Sequence, residues 1–317
     1  MSEDTTMLAS VNRYIEHRRE LGCVFRTESF LLRSFGAYAD LHAPGEAITT
    51  RLALEWATSP DTDNRSYYAK RLDAVRGLAR YLAAFEPATQ IPPTGILGPS
   101  YSRSDPYIYS QAEIVALMRA ALARKAKGCD TNPLRNATLI GLLACTGMRV
   151  GEALALDNGD VDFSARVITV HRSKNLPMRL VPIDTSAIHH LQEYQRVRDA
   201  CFGCGVPDSP FFLSTWRRRL SYASFLYAFN AIRASARVRR RGPGRRPRIH
   251  DLRHTFACHY LLQAYRNNID IDSAMQNLAV YLGHSTLGAT YYYLSAIPAL
   301  LEESAKRVAR HRRGGVP

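Results

Sequence analysis

Two arginines and a histidine in the second half of the sequence have types and spacings suited to binding a phosphate group. Arg149 follows a glycine turn and precedes an apolar helical pattern, so its side chain would project from a helix start. His250 and Arg253 are three residues apart, which would place them on one face of a helical turn. Arginine presents planar, paired donors that match phosphate oxygens. Taken alone, Arg149 is more simply explained as a structural ion pair with Glu152.

Three further residues could complete a site for phosphoryl transfer. His284 precedes a run of tyrosines that ends at Tyr293, and Lys174 lies in a polar turn before a predicted strand. Phosphoryl transfer needs fixed cationic donors, an attacking group and an acid for the leaving oxygen. The combined set supplies these groups without a metal or another cofactor. A tyrosine ester of phosphate conserves the bond energy, so breakage and rejoining could be one reversible reaction.

The chain is strongly basic, which favours a polyanionic partner. Its formal net charge is +14 and its pI is near 9.7 over 317 residues. Nucleic acid is the leading partner, because cationic side chains bind phosphates and release counterions; a ribosomal or membrane-surface protein is the alternative. A glycine- and proline-containing loop at 237–248 adds seven arginines just before His250. A solvated loop is its simpler interpretation.

The cysteines and the apolar runs indicate which compartment and which cofactors to expect. The six cysteines are scattered, which indicates a reduced, cytoplasmic protein. Cys201 and Cys204 have the spacing of half a zinc site, but no second pair follows, so a surface turn is the simpler interpretation. We therefore expect no metal and no cofactor. No apolar run reaches the ~18 residues that a membrane span needs, and the N-terminus is polar.

Hydrophobic periodicity predicts a mainly α fold in two domains. Residues 1–88 predict a bundle of about four helices. A proline-rich segment follows, and we interpret 89–106 as a linker. Residues 107–317 predict an α-rich domain that opens with a capping box at Ser110 and contains a small antiparallel β-sheet, since β-branched residues flank a polar turn. An amphipathic helix at 298–310 would end it.

Three ordered motifs resemble those of the tyrosine recombinase, or phage integrase, family. They are Thr-Gly-Met-Arg-Val-Gly-Glu at 146–152, His-Asp-Leu-Arg-His-Thr-Phe-Ala at 250–257, and Leu-Gly-His-Ser at 282–285 with a tyrosine nine positions after the histidine. The resemblance spans roughly 110–294, and the N-terminal bundle is similar to the family's core-binding domain in size and helical pattern. It implies two domains that close around double-stranded DNA, a homotetramer on paired sites and, as further candidate partners, accessory recombinases. The helix at 298–310 would pack into a neighbouring subunit, as in the family, or onto its own domain.

The resemblance also implies a role for each candidate residue. Arg149, Arg253 and His284 match the ligands of the scissile phosphate, and His250 matches a phosphate ligand with acid/base duty. Lys174 matches the general acid toward the leaving 5′ oxygen. The family usually flanks this lysine with glycines, which are absent here, so a solvated turn lysine is the alternative.

Tyr293 matches the nucleophile by its distance from His284, although Tyr291 and Tyr292 adjoin it. The long segment between Arg253 and His284 resembles that of transposon-borne members. The implied function is that of a site-specific DNA recombinase or integrase, which cleaves DNA to a 3′-phosphotyrosine and a free 5′-hydroxyl without a metal or ATP.

Two other classes of protein fit part of the pattern. A type IB topoisomerase shares the tyrosine chemistry but needs no paired DNA sites. An inactive relative would bind DNA as an accessory subunit, although the complete set of residues argues against lost chemistry. A purely structural protein fits least, since the sequence contains no repeat and the polar residues cluster by motif.

Overall fold

The chain divides into two compact units, Met1–Arg103 and Ser104–Pro317. The computed structural model describes residues 6–100, 106–124, 130–171, 178–241 and 246–283. The boundary between the units falls within the predicted linker at 89–106. The expected architecture, mainly helical with a small antiparallel sheet, is confirmed. No helix among the described residues combines the length and the apolar character that crossing a membrane requires.

The first unit contains a helical bundle built from amphipathic helices. Its helices are α1 (Met7–Glu20), α2 (Arg26–His42), α3 (Thr50–Thr58) and α4 (Arg65–Leu82). The side chains of Thr6, Thr49 and Asn64 accept hydrogen bonds from backbone N–H groups in the first turns of α1, α3 and α4. Apolar residues at helical spacing form one buried core, which includes Phe35 and Trp56 in edge-to-face contact. The predicted bundle is therefore confirmed.

The start of the predicted linker is fixed to this bundle. The Gln90 N–H donates to the Ile48 carbonyl at 2.7 Å, and the Gln90 side chain accepts from the Thr50 N–H at 3.0 Å. Buried Arg76 on α4 donates to the carbonyls of Pro92 and Pro93, at 2.8 Å each. Proline has no N–H, so strand pairing is not available to this segment and the arginine binds its carbonyl groups instead.

The second unit is α-rich, and several of its helices pack around one central helix. Its elements are α5 (Gln111–Leu122), α6 (Asn132–Thr146), α7 (Val150–Ala155), β1 (Val161–Asp162), β2 (Val167–Val170), β3 (Arg179–Pro182), α8 (Thr185–Phe202), α9 (Tyr222–Ser235), α10 (Asp251–Arg266) and α11 (Ile271–Leu282). The capping box predicted at Ser110 opens α5. Helix α6 is buried along most of its length and packs against α5, α8 and α10.

The three strands form an antiparallel sheet in the order β1-β2-β3. Ile168 on β2 lies opposite Val161 on one side and Val181 on the other, and these apolar side chains are buried. The last pair of the β2–β3 hairpin joins Val170 to Arg179. The predicted hairpin is therefore present. The candidate residue Lys174 belongs to the sequence between its two strands and lies outside the described residues.

Candidate active site

A glycine turn between α6 and α7 places Arg149. Gly147 ends α6 in the left-handed conformation with φ of 61°, which disfavours any side chain. A Cβ atom at this position would lie 2.5 Å from the Phe256 ring and 3.1 Å from the Leu282 side chain. Glycine is therefore required both by the backbone angle and by the close approach of α10 and α11.

Arg149 is the N-cap residue of α7 and donates hydrogen bonds to α7 and to the end of α11. Its backbone N–H donates to Glu152 Oε2 at 2.8 Å, and its Nη1 donates to Glu152 Oε1 at 2.8 Å. Its Nη2 donates to the carbonyl of Gly283, at the end of α11, at 2.8 Å. The side chain is 32% exposed, so part of the guanidinium faces solvent. The predicted ion pair with Glu152 is present, together with a contact to α11 that the sequence did not indicate.

Arg253 on α10 binds the same end of α11 as Arg149 does. It is buried and donates to the carbonyls of Gly147 at 2.8 Å and Leu282 at 2.7 Å. The two candidate arginines therefore bind adjacent carbonyls, Arg253 at Leu282 and Arg149 at Gly283. The next residue is His284, which lies outside the described residues. The structure thus brings both arginines together at the point where the third motif begins.

His250 is the N-cap residue of α10 and lies at the surface. Its ring meets the His254 ring edge-on, with 4.9 Å between centroids. The pKa of His250 is lowered from its usual value, first by desolvation and then by the positive charge of Arg253. The positive charges of Arg248 and Arg149 lower the pKa of His250 further, because they disfavour protonation of the ring. The two residues of the second motif therefore differ in burial, since Arg253 is enclosed and His250 is accessible.

A network of polar contacts fixes the start of α10. Buried Asp251 accepts hydrogen bonds from the Arg248 backbone N–H at 2.8 Å and from Arg248 Nη2 at 2.9 Å. The Tyr109 hydroxyl donates to the Arg248 carbonyl at 3.0 Å, and the Tyr109 N–H donates to Thr255 at 2.9 Å. An acidic residue at a helix start is favourable because it satisfies backbone donors and faces the positive end of the helix dipole.

Glu152 binds a second arginine that the sequence analysis did not single out. Arg179, the first residue of β3, donates from Nη1 to Oε1 at 2.9 Å and from Nη2 to Oε2 at 2.6 Å. Burial tends to raise the pKa of Glu152, but hydrogen bonds from Arg179 and Arg149 outweigh it and lower the pKa. The only signal in the sequence was the position of Arg179 at the start of a predicted strand.

Three candidate residues, Lys174, His284 and Tyr293, lie outside the described residues, so their roles stay predictions. The structure describes residues next to two of them. Gly283 precedes His284, and the paired residues Val170 and Arg179 flank the segment that contains Lys174. Within the described residues, no group of three or more His, Cys, Asp and Glu side chains could hold a metal ion.

Comparisons with known proteins identify the class to which this fold and site belong. The sequence profile of the phage integrase family matches residues 109–298. The integrase/recombinase y4rB of Sinorhizobium fredii (strain NBRC 101917 / NGR234) is 37% identical over 310 residues, covering 96% of this chain and 98% of that protein. The tyrosine recombinase XerD of Mycobacterium tuberculosis (strain ATCC 25618 / H37Rv) is 33% identical, covering 74% of this chain and 71% of the relative.

Solved structures share the fold at low sequence identity. The XerH site-specific recombinase matches with a TM-score of 0.68 and 19% identity, covering 94% of this chain and 84% of that one. A lambda integrase structure matches with a TM-score of 0.65 and 18% identity, covering 91% of this chain and 77% of that one.

The chain belongs to the phage integrase family, whose members are tyrosine-type site-specific DNA recombinases. The prediction of a site-specific recombinase is therefore confirmed, and a covalent tyrosine intermediate is typical of this family. The profile match extends from Tyr109 past the run of tyrosines, so it includes all three sequence motifs.

Proposed function

We propose that the protein cleaves double-stranded DNA by attack of Tyr293 on the scissile phosphate, which forms a 3′-phosphotyrosine and frees a 5′-hydroxyl. The observation that carries this assignment is the convergence of Arg149 and Arg253 on adjacent carbonyls of Leu282 and Gly283. The residues assigned to the reaction are Arg149, Lys174, His250, Arg253, His284 and Tyr293.

The two arginines suit a site that stabilises charge on a phosphate. They come from different helices and are fixed by backbone carbonyls, so little reorganisation is needed when a phosphate binds. Negative charge develops on the nonbridging oxygens during phosphoryl transfer, and fixed cations lower the energy of that state. Arg149, which is partly exposed, would contact the phosphate from the solvent side.

The remaining residues supply proton transfer. The lowered pKa of His250 favours the neutral ring near neutral pH, so the ring can accept a hydrogen bond or a proton as well as donate to a phosphate oxygen. Lys174 would protonate the leaving 5′ oxygen, and His284 would complete the set of phosphate ligands. The reaction is reversible in this scheme, because the phosphotyrosine ester conserves the energy needed to rejoin the strand.

We further propose that the chain acts as a homotetramer on two paired DNA sites. The related lambda integrase was solved as a tetramer bound to a Holliday junction, and XerH was solved bound to palindromic difH substrate. The net charge of +14 is consistent with such a complex. In this scheme residues 1–88 are the core-binding domain, 89–106 the linker and 107–317 the catalytic domain. Sedimentation with one and two copies of the DNA site would reveal a tetramer only when two sites are present.

The chemical assignment is tested with nicked suicide duplexes made from the DNA sequences that flank the gene for this protein. Wild type and Tyr293→Phe are incubated with them, and protein–DNA adducts are sought under denaturing conditions. We expect an adduct from wild type alone, mapped to the peptide that contains Tyr293. An adduct that persists in the variant would move the nucleophile to Tyr292 or Tyr291. Bound DNA with no adduct would contradict the proposed cleavage.

A further inference from the structure

Arg179 and Glu152 form a buried, two-point ion pair between the sheet and α7. The Arg179 guanidinium donates to both carboxylate oxygens, at 2.9 Å and 2.6 Å. The two side chains are 8% and 5% exposed, respectively. Because a planar guanidinium matches a carboxylate in this geometry, the pair fixes the orientation of Glu152 and not only its location.

The same carboxylate orients Arg149. Oε1 accepts from Arg149 Nη1 at 2.8 Å, and Oε2 accepts from the Arg149 backbone N–H at 2.8 Å. Each oxygen of Glu152 therefore receives one hydrogen bond from Arg179 and one from Arg149. Any rotation of the carboxylate away from Arg179 would shift the acceptor that sets the direction of the Arg149 guanidinium.

The charges of the three residues give Arg179 a second effect on Arg149. Arg149 and Glu152 alone would form a neutral pair, whereas the three residues together carry a net positive charge. Since the pair of Glu152 and Arg179 is almost fully buried, water screens it weakly. Arg179 thus offsets the negative charge of the Glu152 carboxylate, so the group of three residues can still attract an anion at Arg149.

Arg179 also lies at the end of the β2–β3 ladder that is next to the segment connecting the two strands. Its backbone forms the last described pair of the ladder, opposite Val170. Its side chain meanwhile binds α7 through Glu152. One residue therefore fixes both the hairpin and the carboxylate beside Arg149.

We propose that Arg179 is a positioning residue, which acts through Glu152 to orient Arg149 for the scissile phosphate and to hold the β2–β3 hairpin against α7. The inference rests on the proposed role of Arg149 as a phosphate ligand. Arg179 itself does not contact the DNA in this scheme. Its loss lowers the rate of cleavage and leaves the affinity for DNA nearly unchanged.

The first test compares Arg179→Met with Arg179→Lys, using the nicked suicide duplexes described above. Single-turnover cleavage at saturating protein should slow about 100-fold in Arg179→Met, as expected for a displaced catalytic group. Arg179→Lys should fall between this variant and wild type, because lysine keeps the charge but not the paired donors. The concentration of protein that half-saturates the DNA should change less than about threefold, well under one decade of affinity.

A buried arginine elsewhere in the second unit supplies the matched control. Arg198 on α8 donates to the Phe211 carbonyl and to Asn158, at 2.7 Å each, and its side chain is 2% exposed. Arg198→Met should lower the melting temperature at least as much as Arg179→Met does, yet cleave faster than Arg179→Met at a temperature where both are folded. Equal cleavage by the two folded variants would reduce Arg179 to a structural residue and overturn the proposal.

A double-mutant cycle identifies the route of the effect. Arg149→Lys should be slow alone, and adding Arg179→Met should slow it by much less than it slows wild type, because the orientation of Arg149 is already lost. Fully multiplicative effects of the two substitutions on the cleavage rate would contradict action through Arg149.

An adduct that survives Tyr293→Phe would contradict only the assignment of Tyr293 as the nucleophile. Cleavage by Arg179→Met at the wild-type rate, with Arg149→Lys impaired, would contradict only the positioning role.

Discussion

Arg253 donates a hydrogen bond to the carbonyl of Gly147 at 2.8 Å, across 106 positions of sequence. The acceptor belongs to the glycine turn that starts the first motif, and the donor belongs to the second motif. The same guanidinium binds the carbonyl of Leu282, which is the first residue of the third motif and lies two positions before its histidine. One buried side chain therefore ties together the backbone of all three motifs.

Replacing Gly147 with alanine should destabilise the second unit. The residue has a φ of 61°, and the added Cβ would lie 2.5 Å from the Phe256 ring. Positive φ and the steric contact together should cost about 2 kcal/mol or more in the free energy of unfolding, measured by urea denaturation. Gly151→Ala is the control, since Gly151 lies in α7 and a Cβ there meets nothing within 4 Å. That change should be neutral or stabilising by up to about 1 kcal/mol; equal losses in the two variants would contradict the steric argument.

Replacing Arg253 with lysine should separate cleavage from DNA binding. Lysine keeps the charge, but a single ammonium group cannot reproduce the rigid fork that binds the Gly147 and Leu282 carbonyls together. We expect single-turnover cleavage to fall at least about 100-fold, the usual cost of removing a fixed donor from a site that stabilises charge. Electrophoretic mobility shifts should show DNA affinity within about threefold of wild type. A parallel loss of affinity and cleavage would assign Arg253 to DNA binding in general.

Local signals in the sequence predicted the elements that carry the motifs. The glycine before Arg149 and the glutamate three residues later indicate a helix start, and α7 begins there. The capping box at Ser110 and the β-branched residues on both sides of a polar turn likewise predicted α5 and the β2–β3 hairpin. These signals act within a few residues, so periodicity and capping chemistry are sufficient to read them.

The contacts that orient the candidate site could not be read in this way. The bonds from Arg149 to Gly283 and from Arg253 to Gly147 span 134 and 106 positions. Such pairs depend on how α7, α10 and α11 pack, and no local propensity encodes that packing. The second partner of Glu152 was missed for the same reason, since Arg179 belongs to a strand whose register the sequence did not fix.

Replacing Arg76 with methionine should destabilise the first unit. Arg76 is 6% exposed, donates to the Pro92 and Pro93 carbonyls, and forms an ion pair with Asp73. Its loss removes charge-assisted hydrogen bonds worth about 1.5–3 kcal/mol each, partly offset by water that reaches the freed carbonyls. Urea denaturation should therefore show a loss of about 2 kcal/mol in this unit. Exposed Arg80 on the same helix is the control, and Arg80→Met should stay within about 0.5 kcal/mol of wild type.

The lowered pKa of His250 predicts how stability changes with pH. Between the usual histidine pKa and the lowered one, the unfolded chain binds more protons at this position than the folded chain does. The contribution of His250 to stability therefore falls as the pH drops through that window and is recovered as the pH rises above the usual value. The difference in unfolding free energy between wild type and His250→Gln, measured at about pH 7.5 and about pH 5, should thus shift in favour of the variant at the lower pH.

The same shift should appear in catalysis. If neutral His250 serves the reaction, the cleavage rate of wild type should fall with decreasing pH only below the pKa range usual for histidine. His250→Gln should lack this fall at acid pH and should cleave more slowly than wild type at neutral pH. Tyr260, which is exposed on α10 and lies away from the N-cap, offers a control in Tyr260→Phe, which should keep the wild-type profile. An acid limb that persists unchanged in His250→Gln would assign the titration to another group and remove the acid/base role from His250.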